Sequence, residues 1–306
     1  MTRFTTPLFL LGLACLPTLQ ARSIGWWWSP PSSTTPDRQK YVAGFLDFVG
    51  NNTKIVSTLM MSCDIRTCCR LGCGECGNAK NSSCANPRGR CSNNGGVGGV
   101  ISGTLDSTCA QVLPTLEKLG IKVELWLGED DSLSSAQYLF AHADETAAAL
   151  IAVAKQHPGI SGFNVDPETK GGTVADAKNF VRFLSSVAAQ LAPSNLRFSA
   201  DVACNPPYEG GESRPVATNC TLLGSAGAGV HLMNMGTYNA HSYASWYSSF
   251  AAAQSTVPQE MLGVGLGCWI DSRTNNTWSI TPQSADDRVC LLMNTSVAEI
   301  DMFEIK

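Results

Sequence analysis

Short apolar runs recur along this chain, each followed by a longer stretch whose apolar positions return every three or four residues. The runs fall at residues 23–28, 54–61, 122–128, 159–166, 196–203, 230–235, 261–269 and 297–305. Most are nearly continuous Val, Ile, Leu, Met and Phe, the pattern of parallel strands covered on both faces. The stretches between them read as helices at 37–48, 109–119, 145–156, 175–191 and 242–253. Gly120 and Pro193 stand where helices stop. Eight strands alternating with helices predict an α/β fold closed into a (β/α)₈ TIM barrel. An open, doubly wound sheet is the alternative arrangement of the same units.

One segment breaks the rhythm. Residues 63–107 are rich in Cys, Gly, Asn and Ser and show neither a helical nor a strand period. They read as a disulfide-rich insertion after the second strand, held by crosslinks in place of a core. The run Gly95-Gly96-Val97-Gly98-Gly99 inside it is no phosphate cradle, because no Lys-Ser/Thr follows and no strand leads in. The organisation expected is one barrel domain over 22–306, preceded by a leader at 1–21.

That leader is read from Arg3, the apolar stretch 7–15 and the small residue Ala21, the three parts of a secretory signal. A buried first strand or helix is the other reading of the same residues. The apolar run is shorter than the roughly 18 residues a spanning helix needs, so no membrane span is expected in the mature form. Of 13 cysteines, Cys15 lies in the leader. The other twelve are Cys63, Cys68, Cys69, Cys73, Cys76, Cys84, Cys91, Cys109, Cys204, Cys220, Cys268 and Cys290. An even count behind a signal reads as disulfides in a secreted, extracellular protein. Cys204–Cys220 and Cys268–Cys290 are the expected pairs outside the insertion. Cys73-Gly74-Glu75-Cys76 has zinc-like spacing, but no His lies near it. Sequons at Asn51, Asn81, Asn219, Asn275 and Asn294 suit a glycoprotein.

Composition narrows the function. With 44% hydrophobic and 15% charged residues the chain of 306 can bury a large core. A net charge of −4 with scattered Lys and Arg argues against a nucleic-acid partner. His142, His157, His231 and His241 share no ligand spacing, so neither a metal nor another cofactor is expected, and a serine triad has no support.

The fourth strand carries the chemistry. In Ile160-Ser161-Gly162-Phe163-Asn164-Val165-Asp166-Pro167-Glu168, alternation puts Asn164, Asp166 and Glu168 on one face. Barrel interiors are normally apolar, and carboxylates there are costly unless used or paired. Pro167 marks the strand's C-terminal rim, where barrel active sites lie. A surface turn containing Asp-Pro-Glu is the bland alternative.

This segment resembles the strand-four signature of family 18 glycoside hydrolases, the chitinase-like enzymes, which reads D-G-x-D-x-D-x-E. Asp166 and Glu168 match its last Asp and its Glu; Ser161 and Asn164 depart from it. Tyr238-Asn239 resembles the Tyr-Asp or Tyr-Asn pair near the sixth strand's end, although Gly236 stands where that family has Met. Phe303 is the nearest candidate for the family's eighth-strand Trp. The resemblance implies hydrolysis of β-linked N-acetylglucosamine, in chitin or a glycan, by substrate-assisted retaining catalysis. Glu168 would be the general acid, its proton kept by the neighbouring Asp166 charge. Asp166 would orient the acetamide and Tyr238 would donate to it. Asn164 would still be able to donate to Asp166.

Other residues are weaker candidates. Trp28, closing the triplet Trp26-Trp27-Trp28, could stack on sugar or be buried. Asp201 and Trp269, with Asp271, sit near other strand ends. Glu129-Asp130-Asp131 reads as solvated loop charge. The expected partner is a carbohydrate polymer or oligosaccharide bound by a monomer. A chitinase-like lectin without turnover is the rival.

Overall fold

The computed structural model describes residues 23–31, 36–54, 56–63, 66–70, 85–86, 96–101, 105, 107–129, 133–167, 171–204, 216, 219–227, 229–234, 237, 243–267, 270–271, 276–277, 288, 291–292, 295 and 297–305. The leader at 1–21 and the Cys268–Cys290 pair lie outside them.

Eight strands form a closed parallel barrel: β1 (Ser23–Trp28), β2 (Thr58–Ser62), β3 (Lys122–Glu129), β4 (Ile160–Asp166), β5 (Arg197–Val202), β6 (Val230–Asn234), β7 (Leu262–Gly267) and β8 (Glu299–Ile305). Each pairs with its neighbours in sequence, and β1 closes the ring by pairing β8 with Gly25 opposite Asp301. The closure settles the choice between barrel and open sheet. All eight apolar runs of the sequence are barrel strands.

The helices are α1 (Arg38–Asn51), α2 (Ser107–Lys118), α3 (Leu133–Ala141), α4 (Ala143–Gln156), α5 (Val174–Leu191), α6 (Cys220–Leu223) and α7 (Tyr243–Thr256). Outward strand residues such as Leu125, Phe163, Val165, Phe198, Leu232 and Val264 are fully buried, in one core cluster with Phe45, Leu116, Leu150, Phe180, Phe183 and Trp246 from the helices. This layer between barrel and helices is where apolar burial, at about 25 cal/mol per Å², stabilises the fold.

The described part of the insertion includes three short strands. Arg66–Arg70 pairs antiparallel with both Ala85–Asn86 and Gly96–Ile101 in a small sheet. Backbone pairing needs no apolar alternation, which is why no period shows in the sequence. The insertion's ends are tied by a Cys63–Cys109 disulfide, and Cys204–Cys220 is bonded as expected. No helix among the described residues is long and apolar enough to cross a membrane.

Candidate active site

The inward face of β4 carries Gly162, Asn164 and Asp166 in successive layers, while Phe163 and Val165 face the helices. Asn164 is completely buried and Asp166 nearly so. A side chain at Gly162 would meet the Arg197 carbonyl oxygen at 2.7 Å, so glycine is what lets β4 and β5 come together at this level. Beyond β4, the α5 N-terminus is fixed by a capping box. Thr173 Oγ1 accepts from Asp176 N at 3.3 Å, and Asp176 Oδ2 accepts from Thr173 N at 2.7 Å. Gln137 of α3 donates to Asp176 Oδ1 at 2.8 Å. The Gln137 bond, then those from Thr173, hold the Asp176 carboxyl below its ordinary range.

Asn164 does not serve Asp166. Its amide nitrogen donates to Ser199 Oγ at 3.0 Å and to Asp201 Oδ1 at 3.1 Å, both on β5. The expected Asn164-to-Asp166 bond is therefore corrected: an amide has two protons, and carboxylate and hydroxyl acceptors stand closer on the next strand. Asp201 is buried and shares this layer.

Trp28 is also corrected. Its ring is buried and stacked on Phe45 of α1, with centroids 3.7 Å apart, because alternation turns it outward. Trp27 is the indole on the axis side; it meets Trp126 of β3 edge-on at 5.5 Å. Trp27, Met60, Asp201 and Met233 help line a small cavity inside the barrel. Phe303 lies in β8 opposite Gly267 of β7. Glu168, Tyr238, Asn239 and Trp269 lie outside the described residues. Just before Tyr238 in the sequence, Thr237 is buried and its Oγ1 accepts from Gly265 N at 2.7 Å, tying Thr237 to β7.

Below these residues the barrel interior is ionic, which the sequence reading missed. Arg197 of β5 binds Glu124 of β3 at 2.9 Å and also bonds Glu299 of β8. Ser199 Oγ donates to Glu124 Oε2 at 2.9 Å, joining this cluster to Asn164. His231 of β6 places Nε2 2.8 Å from Glu299 Oε2. Burial would raise the Glu299 pKa, yet Arg197 and His231 outweigh it and hold Glu299 below the ordinary range. Burial raises Glu124 despite Arg197. Asp301 is raised well above the ordinary range, first by burial and then by the Glu299 charge. Burial, then Arg197, lowers His231, leaving a neutral imidazole at pH 7. Against burial, Glu124 and Glu299 keep Arg197 charged. The signal was present in the strands: Glu124, His231 and Asp301 are single polar residues between apolar neighbours, each on the inward alternation.

No protein-family model matches this chain, and no curated protein matches its sequence. Solved structures do match. A chitinase from Chromobacterium violaceum is 11% identical with a TM-score of 0.60, over 93% of this chain and 94% of that one. A spore cortex-lytic enzyme from Bacillus megaterium is 10% identical with a TM-score of 0.58, over 94% of this chain and 72% of that one. A family 18 chitinase from Pseudoalteromonas aurantia is 12% identical with a TM-score of 0.53, over 92% and 94%. By its closed parallel barrel and these likenesses, the chain has the fold of the family 18 chitinases.

Proposed function

We propose that this is a secreted glycoside hydrolase that cleaves β-linked N-acetylglucosamine, in chitin or a glycan, with assistance from the substrate's own acetamide. The observation that carries the reading is Asp166: a buried carboxyl on the inward face of β4, at the C-terminal rim of a chitinase-type barrel, two residues before Glu168. In this account Glu168 protonates the glycosidic oxygen as the bond to the anomeric carbon breaks. The acetamide carbonyl oxygen forms the new bond to that carbon, giving a cyclic oxazolinium. Asp166 orients the acetamide and stabilises its positive charge, and Tyr238 donates to its oxygen. Glu168, now a carboxylate, takes a proton from the water that reopens the ring. Asn239, Asp201, Trp269 and Phe303 are proposed around the sugar, with Trp27 in place of Trp28 stacking on it.

Secretion from a leader at 1–21, one catalytic domain over 22–306 and a monomeric state complete the proposal. The two disulfides among the described residues suit an oxidising compartment. A second reading, a carbohydrate-binding protein without turnover, is favoured by Asn164, whose amide is engaged by Ser199 and Asp201. Chitin pull-down alongside hydrolysis of fluorogenic chito-oligosaccharides separates the two. Turnover supports the enzyme, and binding without turnover supports the lectin.

A further inference from the structure

The floor of the barrel brings His231, Glu299 and Asp301 together from β6 and β8, across β7. One side-chain donor atom from each lies within 4.8 Å of the other two, and all three residues are buried. One of those atoms is unusual. Asp301 Oδ2 is buried with no hydrogen-bond partner among the described residues, while His231 Nε2 has Glu299 Oε2 at 2.8 Å. A buried polar atom left so costs about 1–3 kcal/mol, so its retention asks for a reason.

The backbone between them supplies space. Gly263 of β7 lies under both: a Cβ there would stand 2.4 Å from Asp301 Oδ2 and 3.1 Å from His231 Nε2. On the other side, a Cβ at Gly25 would stand 2.8 Å from Asp301 Oδ1 and 3.1 Å from Glu299 Oε1. The two glycines leave room for these side chains where a methyl group would collide with them, and Gly25, Glu299 and Asp301 also line the small barrel cavity. Charge points the same way. Three carboxyl groups, from Glu124, Glu299 and Asp301, surround the single Arg197 guanidinium in this cluster. If all three ionise, the set carries a net charge of about −2, which one divalent cation would neutralise.

We propose that His231, Glu299 and Asp301 form a divalent-cation site in the barrel floor, with zinc the ion its donors suit. One imidazole and two carboxylates are a set zinc accepts, at about 2.0–2.2 Å. Ligands so bound stand roughly 3.4 Å apart, so donors up to 4.8 Å apart must draw in by up to about 1.4 Å, through carboxylate rotation and small side-chain shifts. Arg197 remains on Glu299 Oε2, and Glu299 Oε1 is the oxygen facing the space beside Gly25. The ion takes the place of protons on the carboxyl groups and releases them to solvent. Its effect is structural, fastening β6 to β8 over the bare backbone of β7. Its test does not use turnover.

The test uses tag-free, disulfide-intact full-length protein and zinc chloride. Metal content after dialysis is measured by plasma mass spectrometry, and melting by calorimetry at pH 7. The wild type should retain about one zinc per chain. At zinc about 100-fold above its dissociation constant, it should melt about 5–10 °C higher than without metal. Asp301→Asn matches the shape of the neutral acid, and His231→Gln keeps a donor toward Glu299. Both variants, checked for folding by circular dichroism, should lose the retained zinc and the melting shift. A wild type that retains no zinc, or either variant responding as the wild type does, overturns the proposal.

Discussion

Replacing Arg197 by Met tests whether the ionic interior is integral to the barrel. The variant keeps an unbranched apolar stem and removes the guanidinium that Glu124 and Glu299 share. Both glutamate side chains are only 3% exposed, so each would be left buried without its cation. Removing one partner of a buried pair costs about 3–5 kcal/mol. Because 29% of the Arg197 side chain is exposed, the lower end, about 3 kcal/mol, is expected. At about 2–4 °C per kcal/mol for a domain of this size, the melting temperature should fall by roughly 6–12 °C. The pH dependence gives a second handle. In the wild type Glu299 is held below its ordinary range, so its contribution is present above the unfolded carboxylate pKa and lost as pH falls through the folded one. In the variant burial dominates and raises Glu299, so its penalty is full at pH 7 and vanishes below the unfolded pKa. Calorimetric melts at pH 7, 5.5 and 4 should therefore show the gap between variant and wild type narrowing with acid. A loss under about 1 kcal/mol at pH 7, or a gap that widens toward pH 4, would refute the reasoning.

Other outcomes follow from the same packing. Replacing both cysteines of Cys204–Cys220, 16 residues apart, by Ser should cost about 3 kcal/mol, and the Cys63–Cys109 pair, 46 apart, about 4 kcal/mol. Denaturant unfolding of the two double variants gives the order, and a larger loss from the shorter loop would contradict it. Gly162→Ala should destabilise by roughly 1–3 kcal/mol, since its Cβ would stand 2.7 Å from a backbone oxygen of β5; a thermal melt equal to wild type would count against that close approach. Asn164→Asp replaces the donor to Asp201 with a second acid at about 3 Å, so it should lower stability at pH 7 and recover it near pH 4. Equal melts at both values would show that Asn164 does not hold Asp201.

The barrel was legible because its strands are covered on both faces, so runs such as Leu59 to Met61 and Leu125 to Leu127 stand out from the polar turns around them. The helix Leu133–Ala141 was not read, because it abuts Ala143–Gln156 with His142 alone between them, and the two merge in the sequence. The β4 signature was legible through alternation. What Asn164 bonds to was not, because its acceptors Ser199 and Asp201 are 35 and 37 residues away. Nor could the sequence say which indole of Trp26-Trp27-Trp28 faces the axis. That depends on strand register, fixed by the pairing of Trp27 with Met60. Glu124, Arg197, His231, Glu299 and Asp301 meet only after closure, which brings β3, β5, β6 and β8 around one axis.

The central claim is acetamide-assisted cleavage with Glu168 as the acid, and it is tested most directly by comparing hydrolysis of a fluorogenic chitotrioside by wild type and Glu168→Gln, with and without a thiazoline mimic of the cyclised intermediate. The account predicts that wild type turns over and that Glu168→Gln is slower by about 10²–10⁴-fold while still binding the sugar. It also predicts that the thiazoline inhibits far more tightly than free N-acetylglucosamine. Equal rates for the two proteins, or efficient cleavage of plain β-glucosides unaffected by the thiazoline, would contradict it.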